Sequence, residues 1–170
     1  MTICNINEFL IEISKNNKLI LCLDIGSKRT GIAFSDPNKK FSLPSKTINN
    51  IKSDSYKQLV SIVNEYNIGA IVIGIPLNYD GTENKKCQSI KDITKHLDFI
   101  FSGNNINIPI VFWDESYSSE KALDKIKNIV DTKIKQKKKL IDKFAAKEIL
   151  QDFLNYRINL INEKKNKPTT

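Results

Sequence analysis

The sequence predicts a mixed α/β layer fold, a five-stranded sheet flanked by helices, on three observations. Three strand-length segments follow one another through short turns, a continuous apolar run lies at mid-chain, and segments of helical spacing alternate with the later strands. A chain of 170 residues that is 40% hydrophobic and 27% charged suits one domain with a proper core.

Taken in order, Ile3, Ile6, Phe9, Leu10 and Ile13 have helical spacing, which predicts a short helix ahead of the first strand. Strands are then predicted at Lys18–Ile25, Thr30–Ser35 and Phe41–Ile48. The segments between them, Gly26 to Arg29 and Asp36-Pro37-Asn38, are turn-like, so the three form an antiparallel meander. A helix near Ser53–Tyr66 follows. Ala70-Ile-Val-Ile-Gly74-Ile75 reads as a strand inside the sheet, and Pro76 to Thr82 turns it into a helix near Glu83–Ile100. The last strand runs from Ile108 to Trp113 and ends at Asp114-Glu115. Ser118 is the expected N-cap of a helix over Ser119–Val130, and a final helix is expected from Lys138 to Arg157. Residues 159–170 are polar and expected to form a flexible tail.

Several function classes are excluded or disfavoured. No apolar run approaches the roughly 20 residues of a spanning helix. The N-terminal segment has Glu12 within its apolar part and no small-residue cleavage site, so a cytoplasmic protein without a membrane partner is expected. Cys4, Cys22 and Cys87 are odd in number and form no CxxC pair, which suggests neither a disulfide framework nor a zinc site.

The formal net charge is +8, and from Asp131 to Thr170 eleven Lys/Arg face five Asp/Glu, so that segment carries +6 of it. The run containing Lys137, Lys138 and Lys139 can neutralise nucleic-acid phosphates and gain from counterion release. A coding bias towards Lys, Asn and Ile accounts for the same composition without any nucleic acid, and both readings stand at this level.

Three acids attract attention. Asp24 ends an apolar strand beside Gly26, and an acid there costs free energy unless it is paired, hydrogen-bonded or metal-bound. Glu115 follows the last strand. Asp142 shares a helix face with Ala145, Ala146, Ile149 and Phe153, at i, i+3, i+4, i+7 and i+11, so it points inward with the apolar residues. Carboxylates brought together repel unless a cation intervenes. Hard oxygen ligands without His or Cys suit Mg²⁺ or Mn²⁺, and a pair of ions is the known device for phosphodiester hydrolysis. The plain alternative leaves Asp24 in a turn, Glu115 near a helix start and Asp142 semi-exposed, with no convergence.

Four motifs carry a resemblance: Asp24-Ile-Gly-Ser-Lys-Arg-Thr-Gly-Ile-Ala-Phe-Ser-Asp36, Val72-Ile-Gly-Ile-Pro-Leu-Asn-Tyr-Asp-Gly-Thr82, Asp114-Glu115 with Ser118-Ser119, and Ile141-Asp142-Lys-Phe-Ala-Ala146 through Ile149-Leu-Gln151. In order and spacing they resemble the YqgF/RuvX family over about residues 18–158. The resemblance implies a ribonuclease H-like domain, with the meander joined by two parallel strands. It leaves residues 1–17 as an N-terminal extension to which no function is assigned. Family members are assigned as Holliday junction resolvases or as nucleases maturing the 5′ end of pre-16S rRNA. By that resemblance Asp24, Glu115 and Asp142 are the metal-binding catalytic acids, for Mg²⁺ or Mn²⁺ and two ions, and the partner is an rRNA precursor or branched DNA. Either a monomer or a homodimer is compatible, a resolvase being expected to act as a symmetric dimer.

Lys28 and Arg29, in the turn after Asp24, and Asn78, in the loop after the fourth strand, are candidates for gripping phosphate, beside the plainer reading as solvated turn residues. One departure is visible: the family usually has Asp-Glu-Arg after the last strand, and here Ser116 replaces the Arg, removing a planar cation suited to phosphate. His96 reads as a surface residue. Trp113 reads as packing, with base stacking by Trp113, Tyr117 or Tyr79 the less favoured alternative. Two rival classes remain. The motif at Asp24 also resembles the first phosphate loop of actin-like ATPases and sugar kinases, although 170 residues hold one copy of a fold those proteins repeat. The other rival is a non-catalytic nucleic-acid-binding factor.

Overall fold

The computed structural model describes residues 2–49, 53–115 and 134–166. The elements are α1 (Ile6–Ser14), β1 (Leu19–Ile25), β2 (Arg29–Ser35), β3 (Ser42–Asn49), α2 (Ser53–Glu65), β4 (Ile68–Ile75), α3 (Lys85–Gly103), β5 (Ile110–Asp114) and α4 (Ile134–Asn166). One five-stranded sheet has the order β3-β2-β1-β4-β5, antiparallel across the meander and parallel where β4 joins β1 and β5 joins β4. The expected mixed sheet is therefore present. The helix expected over Ser119–Val130, like Ser116 and Tyr117, lies outside the described residues.

Strand alternation sorts the apolar side chains into two cores. Leu21, Leu23, Ile71 and Ile73 lie on the face covered by α2 and α3. Ile20, Cys22, Ala70, Val72 and Val111 lie on the other, against Phe9 and Ile13 of α1 and Ala146, Ile149, Leu150 and Phe153 of α4. Every residue of β4 is buried, as its unbroken apolar run predicts for a strand with a neighbour on each side. Asp24 follows Ile20 and Cys22 at the two-residue period, so it belongs to the α4 face.

The N-terminal extension is built into this frame. Asn5 caps α1 in a reciprocal capping box with Glu8. Phe9 is fully buried and meets Phe153 edge to face at 5.5 Å. Ahead of the helix, the Cys4 N–H donates to the Ile110 carbonyl and the Ile110 N–H to the Thr2 carbonyl, which covers the outer edge of β5.

The last helix is longer than the sequence suggested. It begins before Lys138 and continues through residues 159–166, where a flexible tail was expected. Asn159, Asn162, Glu163, Lys164 and Lys165 are exposed but propagate a helix already nucleated by the packed segment, and Lys164 and Lys165 complement the negative end of its dipole. Trp113 packs on Phe153 and Tyr156 and donates its indole N–H to Asp152 at 3.1 Å, as a packing residue should. His96 is exposed and meets Tyr56 edge to face. The three cysteines are free, Cys22 and Cys87 being buried.

Candidate active site

The acids converge because glycines sit opposite them. Gly31 of β2 pairs with Asp24 of β1, and a Cβ on Gly31 would lie 2.0 Å from the backbone carbonyl oxygen of Asp142. Only a residue without a side chain lets α4 descend onto the sheet at this point. Gly74 of β4 plays the same part for Glu115: a Cβ there would stand 2.6 Å from Glu115 Oε2 and 2.7 Å from Ile149 Cδ1. Glu115 is anchored just beyond β5 by its own N–H, which donates to the Ile75 carbonyl at 3.0 Å. Two strand ends and one helix thus deliver three carboxylates to one corner of the α4 face.

Asp24 and Glu115 form a close pair. Burial first, then the negative charge of Glu115 and a hydrogen bond shared with it, push the Asp24 carboxyl well above the usual carboxylate range, with Asp142 adding to the rise. Lys86 acts in the opposite direction, its Nζ lying 3.4 Å from Glu115 Oε1. When both carboxyls are ionised, the buried Glu115 Oε2 has no hydrogen-bond donor. A proton held between the two carboxyls offsets their repulsion, which is the direction of the raised proton affinity of Asp24.

Asp142 faces inward as its spacing predicted, but its carboxylate is held by Arg29, Nε to Oδ2 at 2.5 Å. Both side chains are about one-quarter exposed (25% and 26%), so the pair is partly screened. Arg29 was expected to face phosphate and instead joins the acid cluster. The tight turn before it closes through the Gly26 N–H and the Arg29 carbonyl, and leaves Lys28 exposed. With Asp142 diverted to Arg29, no group of three or more His, Cys, Asp or Glu among the described residues is arranged to hold a metal ion. The donor set still fits one. Two carboxyl groups meet with a buried oxygen lacking a donor, and burial together with both acids pushes the neighbouring Cys22 thiol away from its thiolate form, which leaves the oxygen ligands a hard divalent cation takes.

The remaining candidates divide. Asn78 is committed to its own loop: its side-chain amide donates to Thr82 Oγ1 at 2.9 Å and its N–H to the Thr82 carbonyl. Asn84, the N-cap of α3, ties that loop to Pro76. Lys137, Lys138 and Lys139 lie in the early turns of α4, ahead of Asp142. Lys86 is the site residue that sequence reasoning missed. Its sole signal was a position two residues after the cap of a helix whose start faces the strand ends.

The family model described as RuvX, Holliday junction resolvase, matches residues 18–156 and so spans all three acids. The chain belongs to the RuvX family. It is 38% identical over 141 residues to a relative from Caldicellulosiruptor bescii, covering 81% of this chain and 96% of that one. A relative from Pelagibacter ubique is 34% identical over 149 residues, covering 85% and 95%. Both carry the name "Putative pre-16S rRNA nuclease". Among solved structures, the yeast mitochondrial Holliday junction resolvase aligns with a TM-score of 0.52 at 15% identity, over 94% of this chain and 88% of that one. Thermus thermophilus RuvC in complex with a Holliday junction substrate aligns with a TM-score of 0.50 at 10% identity, over 83% and 96%. These likenesses establish the ribonuclease H-like fold. The RuvX match starts at residue 18, so α1 and the segment on the β5 edge lie outside it.

Proposed function

We propose that the protein is a divalent-metal-dependent nuclease of structured nucleic acid, acting in the cytoplasm on the 5′ end of pre-16S rRNA. The observation that carries this reading is the Asp24–Glu115 carboxyl pair, set beside Asp142 by glycine-permitted contacts at the C-terminal ends of parallel strands. A divalent cation relieves the repulsion of these acids where no proton does, and the names of the relatives supply the substrate class.

Asp24, Glu115 and Asp142 would hold Mg²⁺ or Mn²⁺. Such ions, when bound, lower the pKa of water and stabilise charge on the attacking and leaving oxygens of a phosphodiester. The chain's own residues do the rest. Gly31 and Gly74 fix how closely the carboxylates stand. Arg29 holds Asp142 when no other cation does, and once released is a planar donor suited to phosphate. Lys86, 3.4 Å from Glu115 and more than half exposed, offers a second cation at the mouth of the site.

Incubation of the protein with Mn²⁺ and, in parallel, precursor rRNA or a four-way DNA junction tests the reading, with Asp24→Asn as control. Cleavage of the precursor that requires metal and disappears in the variant is expected. Cleavage confined to the junction moves the function to Holliday junction resolution, the activity named by the family model's description. Binding without cleavage of either substrate refutes the nuclease.

A further inference from the structure

At the end of the sheet remote from the acids, two cations share a pocket without a counter-charge. The pocket, about 280 Å³, lies between the α1–β1 link, the β2–β3 turn and α4, and is lined by Ser14, Asn16, Asn17, Asn38, Lys39 and Arg157. Lys39 is only 4% exposed. Its Nζ makes one hydrogen bond, to the Asn16 carbonyl at 2.5 Å, although an ammonium has three protons to place. Arg157 Nη1 reaches the Lys39 carbonyl at 3.4 Å. Among the described residues no carboxylate pairs with either cation. Asp36, the acid nearest in sequence, accepts from the backbone N–H groups of Asn38, Lys40 and Phe41.

Burying like charges together is costly unless an anion joins them. Burial holds both side chains below their ordinary pKa, and the charge of Arg157 lowers Lys39 further. Both side chains have donors to spare, and the pocket adds the side-chain amides of Asn16, Asn17 and Asn38. The room suits a tetrahedral oxyanion, which takes several donors at once.

We propose that Lys39 and Arg157 form a phosphate-binding site distinct from the carboxylate cluster. The phosphate belongs to the backbone of the bound nucleic acid or to a small free phosphate. Arg157 lies 15 residues beyond Asp142 on one helix, about 22 Å at 1.5 Å per residue. A strand held at the acids would reach it in roughly six nucleotides of 3.4 Å. The last residue of α1, Ser14, and Asn16 and Asn17 of the α1–β1 link line the pocket, so part of the site comes from the segment outside the RuvX match. Only the nucleic-acid arm rests on the function proposed above.

The test compares wild type with the double variant Lys39→Gln, Arg157→Gln, which keeps polar donors at both positions, after circular dichroism has shown that the variant folds. Thermal unfolding in inorganic phosphate against chloride of equal ionic strength is expected to show a phosphate-specific rise in wild type, absent in the variant. Binding of junction and precursor rRNA is measured without divalent metal, so that no cleavage intervenes. Loss of one phosphate contact lowers the slope of log K against log salt by about 0.7–0.9, or about five- to eightfold in affinity at 0.1 M salt. A reduced slope assigns the site to the backbone. An unchanged slope with loss of the phosphate-specific stabilisation assigns it to a small phosphate. If wild type and variant coincide in both measurements, the proposal is overturned and the two cations only tie the α1–β1 link to the hairpin. Failure of the nuclease reading would appear separately, as absence of cleavage when Mn²⁺ is restored.

Discussion

Gly31→Ala is the sharpest single test of how the site is built. The added methyl would stand 2.0 Å from the Asp142 carbonyl oxygen and 2.5 Å from its carbon, both backbone atoms of a helix that crosses β1, β2 and β3. No side-chain rotation relieves that clash. Ordinary contact at about 3.5 Å requires α4 to rise by roughly 1–1.5 Å. Overpacking of this kind costs about 1–3 kcal/mol, which in a chain of this size lowers the melting temperature by about 2–12 °C at 2–4 °C per kcal/mol. The functional effect should be larger, because the methyl lifts Asp142 away from Asp24, and a 1 Å misplacement in a site of this kind costs about 100-fold. Calorimetric unfolding and metal-dependent cleavage, measured on the same preparation, read both effects. Gly103→Ala is the matched control, since a Cβ there meets nothing within 4 Å. Wild-type stability and turnover in Gly31→Ala would falsify the account of Asp142 as an acid positioned by close helix approach.

Metal-free wild type should lose stability as pH rises, relative to Asp24→Asn. The folded pKa of Asp24 lies above its unfolded value of about 3.9, so the folded state holds the proton more tightly; that contribution is greatest below the unfolded value and is lost as pH rises through the raised one. Urea denaturation of both proteins across that range reads the difference, and a difference independent of pH counts against the carboxyl pair. Arg29→Gln removes the cation competing for Asp142, and isothermal titration with Mn²⁺ should show tighter binding than in wild type; weaker binding would mean that Arg29 organises the site rather than guarding it. Phe9→Ala empties a fully buried position against Phe153, with an expected cost of about 3–5 kcal/mol. Unchanged denaturant stability in that variant would return the N-terminal extension to a dispensable appendage.

Most of the fold was legible along the chain because its signals are local. The apolar run of β4, the turns at Gly26 and Asp36, and the helical spacing of Asp142 with Ala145, Ala146, Ile149 and Phe153 each depend on neighbours a few residues away. The limits of α4 were less legible. Asn159, Asn162, Glu163, Lys164 and Lys165 show no apolar periodicity to announce a helix, and they are helical because the buried part of α4 already is.

The candidate site divides in the same way. A position at the end of an apolar strand was enough to mark Asp24, helix spacing to mark Asp142 as an inward acid, and the order of the motifs to join Glu115 to them. None of these could say that Arg29 would take Asp142 rather than face solvent, that Lys86 would stand over Glu115, or that Asn78 would be used up within its loop. Those pairings join residues 113 and 29 positions apart in the first two cases, and they follow from how far α4 and α3 descend onto the sheet. By itself the sequence determined most of the elements and which acids to propose as a cluster. Tertiary structure alone decided which cation meets which acid, and that Lys39 and Arg157 share a pocket, because charge pairing depends on distances of a few ångströms between segments far apart in the chain.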